Sequence, residues 1–164
     1  MEKNTFQEAL ARTVNDFASG DAVRHMADQG LTVAEITGRL SFPTKKEIVS
    51  EMVWKRYLEN GTVLLTDPKK HKLRKISYVQ EQGEYGRTSM RQVVEELPVP
   101  EGEYVFCDFG LRLYQDRDGF LRKLEGLSPE DREYILDLPW PLTGVWFRVD
   151  QRIRRIVEFM KKTR

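Results

Sequence analysis

Phe6, Leu10, Val14 and Phe17 recur at spacings of four, four and three, which lays one apolar stripe along a helix over residues 5–18 and leaves Gly20 as its end. Asp21 then caps a short helix from Ala22 to Gln29 that turns Val23 and Met26 inward, and Gly30 supplies the left-handed residue that stops it. Thr32-Val33-Ala34-Glu35 is a capping box: a threonine hydroxyl and a glutamate three residues on satisfy the free amides that open a helix. That helix runs through Leu40, with Val33, Ile36 and Leu40 on its buried face, until Ser41-Phe42-Pro43 breaks it. Thr44-Lys45-Lys46-Glu47 repeats the box and predicts a longer helix to about Asn60, with Ile48, Val49, Met52, Val53 and Tyr57 inward and Leu40 and Ile48 meeting in the angle between the two helices.

Beyond Gly61 the period changes to two. Thr62 to Thr66 reads as a strand, residues 67–72 as a turn, and Leu73 to Glu81 as a second strand. Gln82 to Gly86 is a further turn, Arg87 to Glu96 a third strand, and Leu97-Pro98-Val99-Pro100-Glu101-Gly102 a linker. Tyr104 to Cys107 reads as a strand and Asp116 to Leu124 as a helix; Ser128-Pro129 opens another helix, with proline at its first position, that ends before Pro139. From Gly144 to Lys162, Val145, Val149, Ile153, Ile156, Val157 and Met160 recur at helical spacing opposite Arg148, Arg152 and Arg155. These elements predict an α+β protein, mainly helical, with one region over residues 1–96 and a helical region over 97–164.

The segment Leu31 to Ile36, the helix from Thr44 to Asn60 and the strands and turn from Thr62 to Val79 together resemble the winged helix-turn-helix superfamily over about residues 20–80. The resemblance implies that the first turns of the Thr44 helix enter a major groove while the wing lies on the adjacent backbone. Thr44, Lys45, Lys46 and Ser50 are then the groove contacts, and Lys69, Lys70, Lys72, Arg74 and Lys75 neutralise phosphates. Glu47 and Glu51 on the same helix repel phosphate unless they accept from a cytosine amino group. The alternative is a helix pair used for packing or protein contacts, its lysines forming a solvated face.

The 164 residues carry a net charge of only +1, but the distribution is uneven: −2 over residues 1–44, +5 over 45–75, −7 over 76–142 and +5 over 143–164. The basic C-terminal helix admits a membrane-surface role, a nucleic-acid contact, or packing with its arginines paired to the acidic middle. Its apolar stripe, Val145, Val149, Ile153, Ile156 and Met160, is the expected face of a homodimer. Cys107 is the single cysteine, which excludes an intrachain disulfide and a cysteine metal cage, and His25 and His71 lack ligand spacing, so neither metal nor cofactor is expected. At the end of an apolar strand Cys107 reads as a small buried hydrophobe rather than a nucleophile. Asp108-Phe109-Gly110 spells a kinase triplet without the other kinase motifs. No apolar run approaches the ~20 residues that span a bilayer. With a polar N-terminus the expected compartment is the cytoplasm. The expected function is double-stranded DNA binding in transcriptional regulation. A protein-interaction module without DNA contact is the alternative, and an enzyme is third.

Overall fold

The computed structural model describes residues 20–99 and 101–163, so the helix expected over 5–18 lies outside the described residues. It is a mixed α+β fold. Helix α1 covers 20–28 of the described chain, with Gly20 and Asp21 already helical. It closes on Gly30 at φ +80°, where the Gly30 and Leu31 amides bond the Ala27 and Met26 carbonyls at 3.0 and 3.2 Å, a pairing that needs the left-handed residue. Helix α2 is Val33–Arg39 and opens on the expected box: Thr32 Oγ1 accepts from the Glu35 amide at 3.3 Å, and Glu35 Oε2 accepts from the Thr32 amide at 2.8 Å.

The donation from the Thr32 amide is the largest reason the Glu35 carboxyl sits below its ordinary range, against a smaller opposing push from burial. A depressed carboxylate pKa stabilises the fold above the ordinary range and loses that contribution as pH falls through the folded value. Thr32→Ala removes the hydroxyl that accepts from the Glu35 amide and donates to Glu35 Oε2 at 3.1 Å, and is expected to cost about 1 kcal/mol at neutral pH by urea titration. Only the part of this difference that comes from the hydroxyl's donation to the carboxylate should shrink in acid, since the Thr32 amide holds Glu35 in both proteins.

Helix α3, Lys46–Glu59, starts one residue later than the Thr44 capping box implies. Thr44 donates to the Phe42 carbonyl at 3.2 Å, and the N-cap is Lys45 with no side-chain bond. Glu47 thereby falls at the second helical position, where the reciprocal bond of a box cannot form. Val49, Val53 and Tyr57 are buried, while Ile48 is exposed and only Leu40 of the expected pair packs on the core. Asp28, at the end of α1, takes two Arg56 donors at 2.8 Å and joins α1 to α3.

The β-structure departs from expectation. Strand β1 is only Val63–Leu64, and both residues are fully buried. It pairs antiparallel with β5, Val145–Arg148, not with the strand at Leu73; no wing of the expected kind forms among the described residues. Strand β4, Tyr104–Cys107, flanks β5 on the other side, so the sheet order is β1-β5-β4. One face of this sheet, Val63, Phe147, Val145 and Cys107, joins the core. Because β1 lies before residue 97 and its partner after it, one sheet draws on both regions expected from sequence.

Four helices complete the core: α4 Phe109–Gln115, α5 Arg117–Leu124, α6 Pro129–Leu136 and α7 Gln151–Lys162. Asp116 caps α5 by accepting from Gly119, and Ser128 caps α6 by accepting from Asp131. The stripe expected as one helix from Gly144 is instead a strand and a helix. Asp150 accepts from the Ile153 amide at 2.7 Å and starts α7 there. A side chain on Gly144 would meet the Cys107 carbonyl at 2.6 Å, so glycine lets β5 enter beside β4. Val145, Ile153, Ile156 and Met160 are buried within their own chain and Val149 is half-buried, so this stripe is a core face and not a free dimer face.

Between β1 and β4 the chain leaves the sheet as a long antiparallel ribbon, β2 Leu73–Gln82 and β3 Thr88–Leu97, in register from Leu73↔Leu97 to Gln82↔Thr88. No described helix is long and apolar enough to cross a membrane.

Candidate interaction surface

Alternation sorts the ribbon residues into two faces, since cross-strand partners point to the same side. On one face Lys75 opposes Glu95, Ser77 opposes Val93, and Val79 opposes Arg91, which pairs with Glu81 at 2.5 Å. Charged groups recur along its length. The other face carries Ile76 opposite Val94, Tyr78 opposite Gln92, and Gln80 opposite Met90, closed by Arg74 and Glu96 at the base and Gln82 and Thr88 near the tip. Its four large apolar side chains, Ile76, Tyr78, Met90 and Val94, are each between 51% and 66% exposed. A lone two-stranded ribbon is marginal in water, and exposed apolar rows are uncommon on soluble monomers.

The tip strengthens this. Tyr85 is 98% exposed and sits at φ +67°, a left-handed conformation that costs a bulky residue about 1 kcal/mol or more. Nothing in the fold is gained by showing an aromatic ring to water from a strained turn, whereas recognition by an aromatic anchor needs that placement. Over residues 73–97, Arg74, Lys75, Arg87 and Arg91 balance Glu81, Glu84, Glu95 and Glu96. The ribbon is neutral.

The residues expected to bind DNA are scattered. Ser50 is buried and donates to the Asp137 carbonyl, and Lys46 pairs with Asp137 at 2.8 Å, which turns these two onto the segment after α6. Asp137 Oδ2 is buried there without a hydrogen-bond partner among the described residues. Lys46, Glu47, Ile48, Glu51, Lys55 and Glu59 are what α3 exposes. Thr44 is half-buried in the turn before α3, while Lys45 is exposed at its N-cap. Lys69 and Lys70 lie exposed in a turn, where Asp67 accepts from both of their amides, at 2.9 Å each. Lys72 bridges to Glu96 at 2.9 Å, which, as a hydrogen bond first and a charge second, keeps the Glu96 carboxyl below its ordinary range. Arg74 and Lys75 point to opposite faces of β2. They do not share one face of the ribbon.

Cys107 lines a cavity of ≈ 240 Å³ with Val105, Phe109, Arg112, Val157 and Met160. Burial, reinforced by the Asp108 charge, pushes its thiol up to about 12, so it stays protonated at neutral pH and behaves as a small apolar group. Asp108 precedes α4 and pairs with Arg112 at 2.9 Å, Phe109 is a core residue, and Gly110 lies against Trp140, so the kinase-like triplet serves packing. Among the described residues there is no group of three or more His, Cys, Asp or Glu placed to hold a metal.

The ribbon was half legible in sequence: both strands and the turn at Gln82 to Gly86 follow from alternation. Its isolation was not, because the apolar run at Thr62 stood as a ready partner. Comparison with known proteins returns no matching family model, no matching curated protein and no matching solved structure.

Proposed function

We propose that this chain is a protein-interaction module whose contacting element is the β2–β3 ribbon, acting without DNA contact. The observation that carries the reading is the exposed row Ile76, Tyr78, Met90 and Val94 on one face of a neutral ribbon, with Tyr85 held out at its end. Apolar rows bordered by amides and a few charges suit a protein surface, whose interface cores are depleted of charge and rich in aromatics and methionine. A phosphate backbone asks for clustered cations instead. The α3 helix supports DNA binding poorly, since it exposes Glu47 and Glu51 and keeps Ser50 inside.

The test is a photo-crosslinking amino acid placed singly at Tyr78, Met90, Ser77 and Glu81 in the full chain expressed in its source cells. Protein adducts are expected from Tyr78 and Met90 and not from Ser77 or Glu81. Tyr85→Gly should weaken adduct formation at Met90 while leaving stability unchanged or higher by up to about 1 kcal/mol, because glycine relieves the strained turn. Equal adducts from both faces would sink the reading. So would salt-dependent binding of genomic duplex fragments that is lost on changing Lys69 and Lys70 to alanine.

A further inference from the structure

We propose that the outer edge of β4 takes up an extended peptide segment of a partner protein as a further strand. A bulky apolar residue of that segment fills the cavity beside Cys107, and an acidic residue two positions away meets Arg112 and Lys161. This is a second contact surface, separate from the ribbon and independent of what the ribbon binds.

The backbone of β4 is paired on one side only. The Arg148 amide donates to the Thr62 carbonyl at 2.9 Å, towards β1, and the Val149 amide to the Glu103 carbonyl at 2.8 Å, towards β4. Alternation along the ladder then turns the amides and carbonyls of Val105 and Cys107 to Phe147 and Val145 of β5, and those of Tyr104 and Phe106 to the free side. No strand pairs with that side among the described residues. Edge strands are ordinarily blunted by charged side chains, proline or a bulge. Tyr104-Val105-Phe106-Cys107 has none of these, and only its length of four residues limits pairing. A peptide laid along it gains main-chain hydrogen bonds from two residues, the mode of recognition that strand addition uses.

The cavity lies against the same edge. Its ≈ 240 Å³ are bounded by Val105 and Cys107 on the inner face of β4, Phe109 and Arg112 of α4, and Met160 and Lys161 of α7. Cys107, Phe109 and Met160 form a buried floor, while Val105 is half-buried and Lys161 exposed at the rim. Side chains of an added strand alternate between the two faces of the sheet, so every second one points to the Val105 side, where the cavity opens. Sites that enclose a whole small molecule run to about 300–1,000 Å³. This smaller space suits one inserted side chain.

Charge selects what stands beside that side chain. Two cations, Arg112 and Lys161, and one carboxylate, Asp108, line the cavity. Asp108 takes the Nε of Arg112 at 2.9 Å, and no acidic side chain lies within ion-pair distance of Lys161 among the described residues. Lys162, in the same last turn of α7, adds to the positive field. A surplus of positive charge around an apolar floor favours an acidic residue on the same side of the added strand as the apolar one, which in a strand means two positions from it.

The probe is the blocked heptapeptide Thr-Glu-Thr-Leu-Thr-Glu-Thr, which reads the same in either strand direction, titrated to about 2 mM into the isotope-labelled full chain and followed by NMR. The amide signals of Tyr104 and Phe106 are expected to shift and to exchange with solvent at least about tenfold more slowly, while those of Val105 and Cys107, already turned to β5, change less. Alanine in place of the peptide's leucine should weaken binding at least about tenfold. Lys161→Glu should weaken it about fivefold and favour the peptide with lysines in place of its glutamates. Phe106→Pro removes an outward amide and leaves the β5 ladder its bonds, so it should abolish binding, whereas Phe106→Ala should retain it. Should Phe106→Pro fail to fold, Lys161→Glu, at an exposed position, decides in its place. No shift at either amide at the highest concentration overturns the proposal, as does binding indifferent to Lys161→Glu and to the loss of the leucine. Binding lost in Met90→Glu would place the peptide on the ribbon and overturn it too. Slow exchange of Tyr104 and Phe106 in the peptide-free chain overturns it equally: if it fades on dilution a second copy pairs with the edge, and if it persists the edge is already covered.

Discussion

Phe147→Ala is expected to lower stability by about 4 kcal/mol, measured by chemical denaturation. Phe147 sits on the central strand of the β1-β5-β4 sheet, paired with Val63 on one side and Val105 on the other. Its ring lies 5.4 Å from that of Trp140 and 6.4 Å from that of Tyr134. Those rings belong to α6 and the segment after it, and Trp140 is further fixed by edge contacts to Trp54 of α3 and Phe109 of α4. Phe147 is thus where helices from both parts of the sequence meet the sheet, and a cavity there has little freedom to collapse. Phe106→Ala supplies the control. That ring lies on the opposite face of the same sheet, half in water against Trp146, and its loss should cost under about 1 kcal/mol. Similar losses for the two would mean that the sheet has no preferred inner face.

Asp131→Ala should cost about 2 kcal/mol by the same measurement, because it removes a buried carboxylate that accepts charge-assisted hydrogen bonds, while Arg155 stays more than half in water and Arg152 keeps Glu130. Asp131 on α6 is 3% exposed and accepts two donors of Arg155 on α7, at 2.9 and 3.1 Å. Arg152, one turn earlier, stands 3.7 Å from the same carboxylate, donates to Glu130 at 2.6 Å and to the Gly30 carbonyl at 2.9 Å, and lies 4.7 Å over the Tyr134 ring. A single carboxylate therefore organises the contact of α6, α7 and the turn between α1 and α2. Asp131→Asn keeps the shape without the charge, and it should recover part of the loss. If Asp131→Ala costs less than about 1 kcal/mol, the cluster is a surface pairing and not a tie between elements.

What the sequence disclosed was mostly local. The Thr32 box, the Gly30 stop, the Ser128 cap and the strand at Tyr104 each depend on residues within a few positions, and each is present. The failures share another cause. Val63 and Leu64 are buried beside a strand more than eighty positions away, and no local period announces such a partner. Val145, Val149 and Ile153 stand at helical spacing only because an inward strand residue happens to precede a helix capped at Asp150. The Thr44 box failed although its residue types are right, since Lys46 and Ser50 are held by Asp137 and the helix begins where those contacts allow. For the same reason the expected DNA contacts were readable as residues and not as a surface. Charge along the chain marks a basic stretch at 45–75, but the fold distributes it over a helix start, a turn and two ribbon faces.

The sheet order also bears on timing. Its middle strand, Val145–Arg148, is the last of the three to be synthesised, and the strands on either side are both made before it. Until that strand leaves the ribosome, β1 and β4 have nothing to pair with, and closing the sheet demands a loop of roughly eighty residues, whose entropic cost must be met before any of its hydrogen bonds form. The ribbon, by contrast, closes through a five-residue turn and can assemble as soon as it emerges. A nascent chain would therefore display its apolar ribbon face while its body is still open.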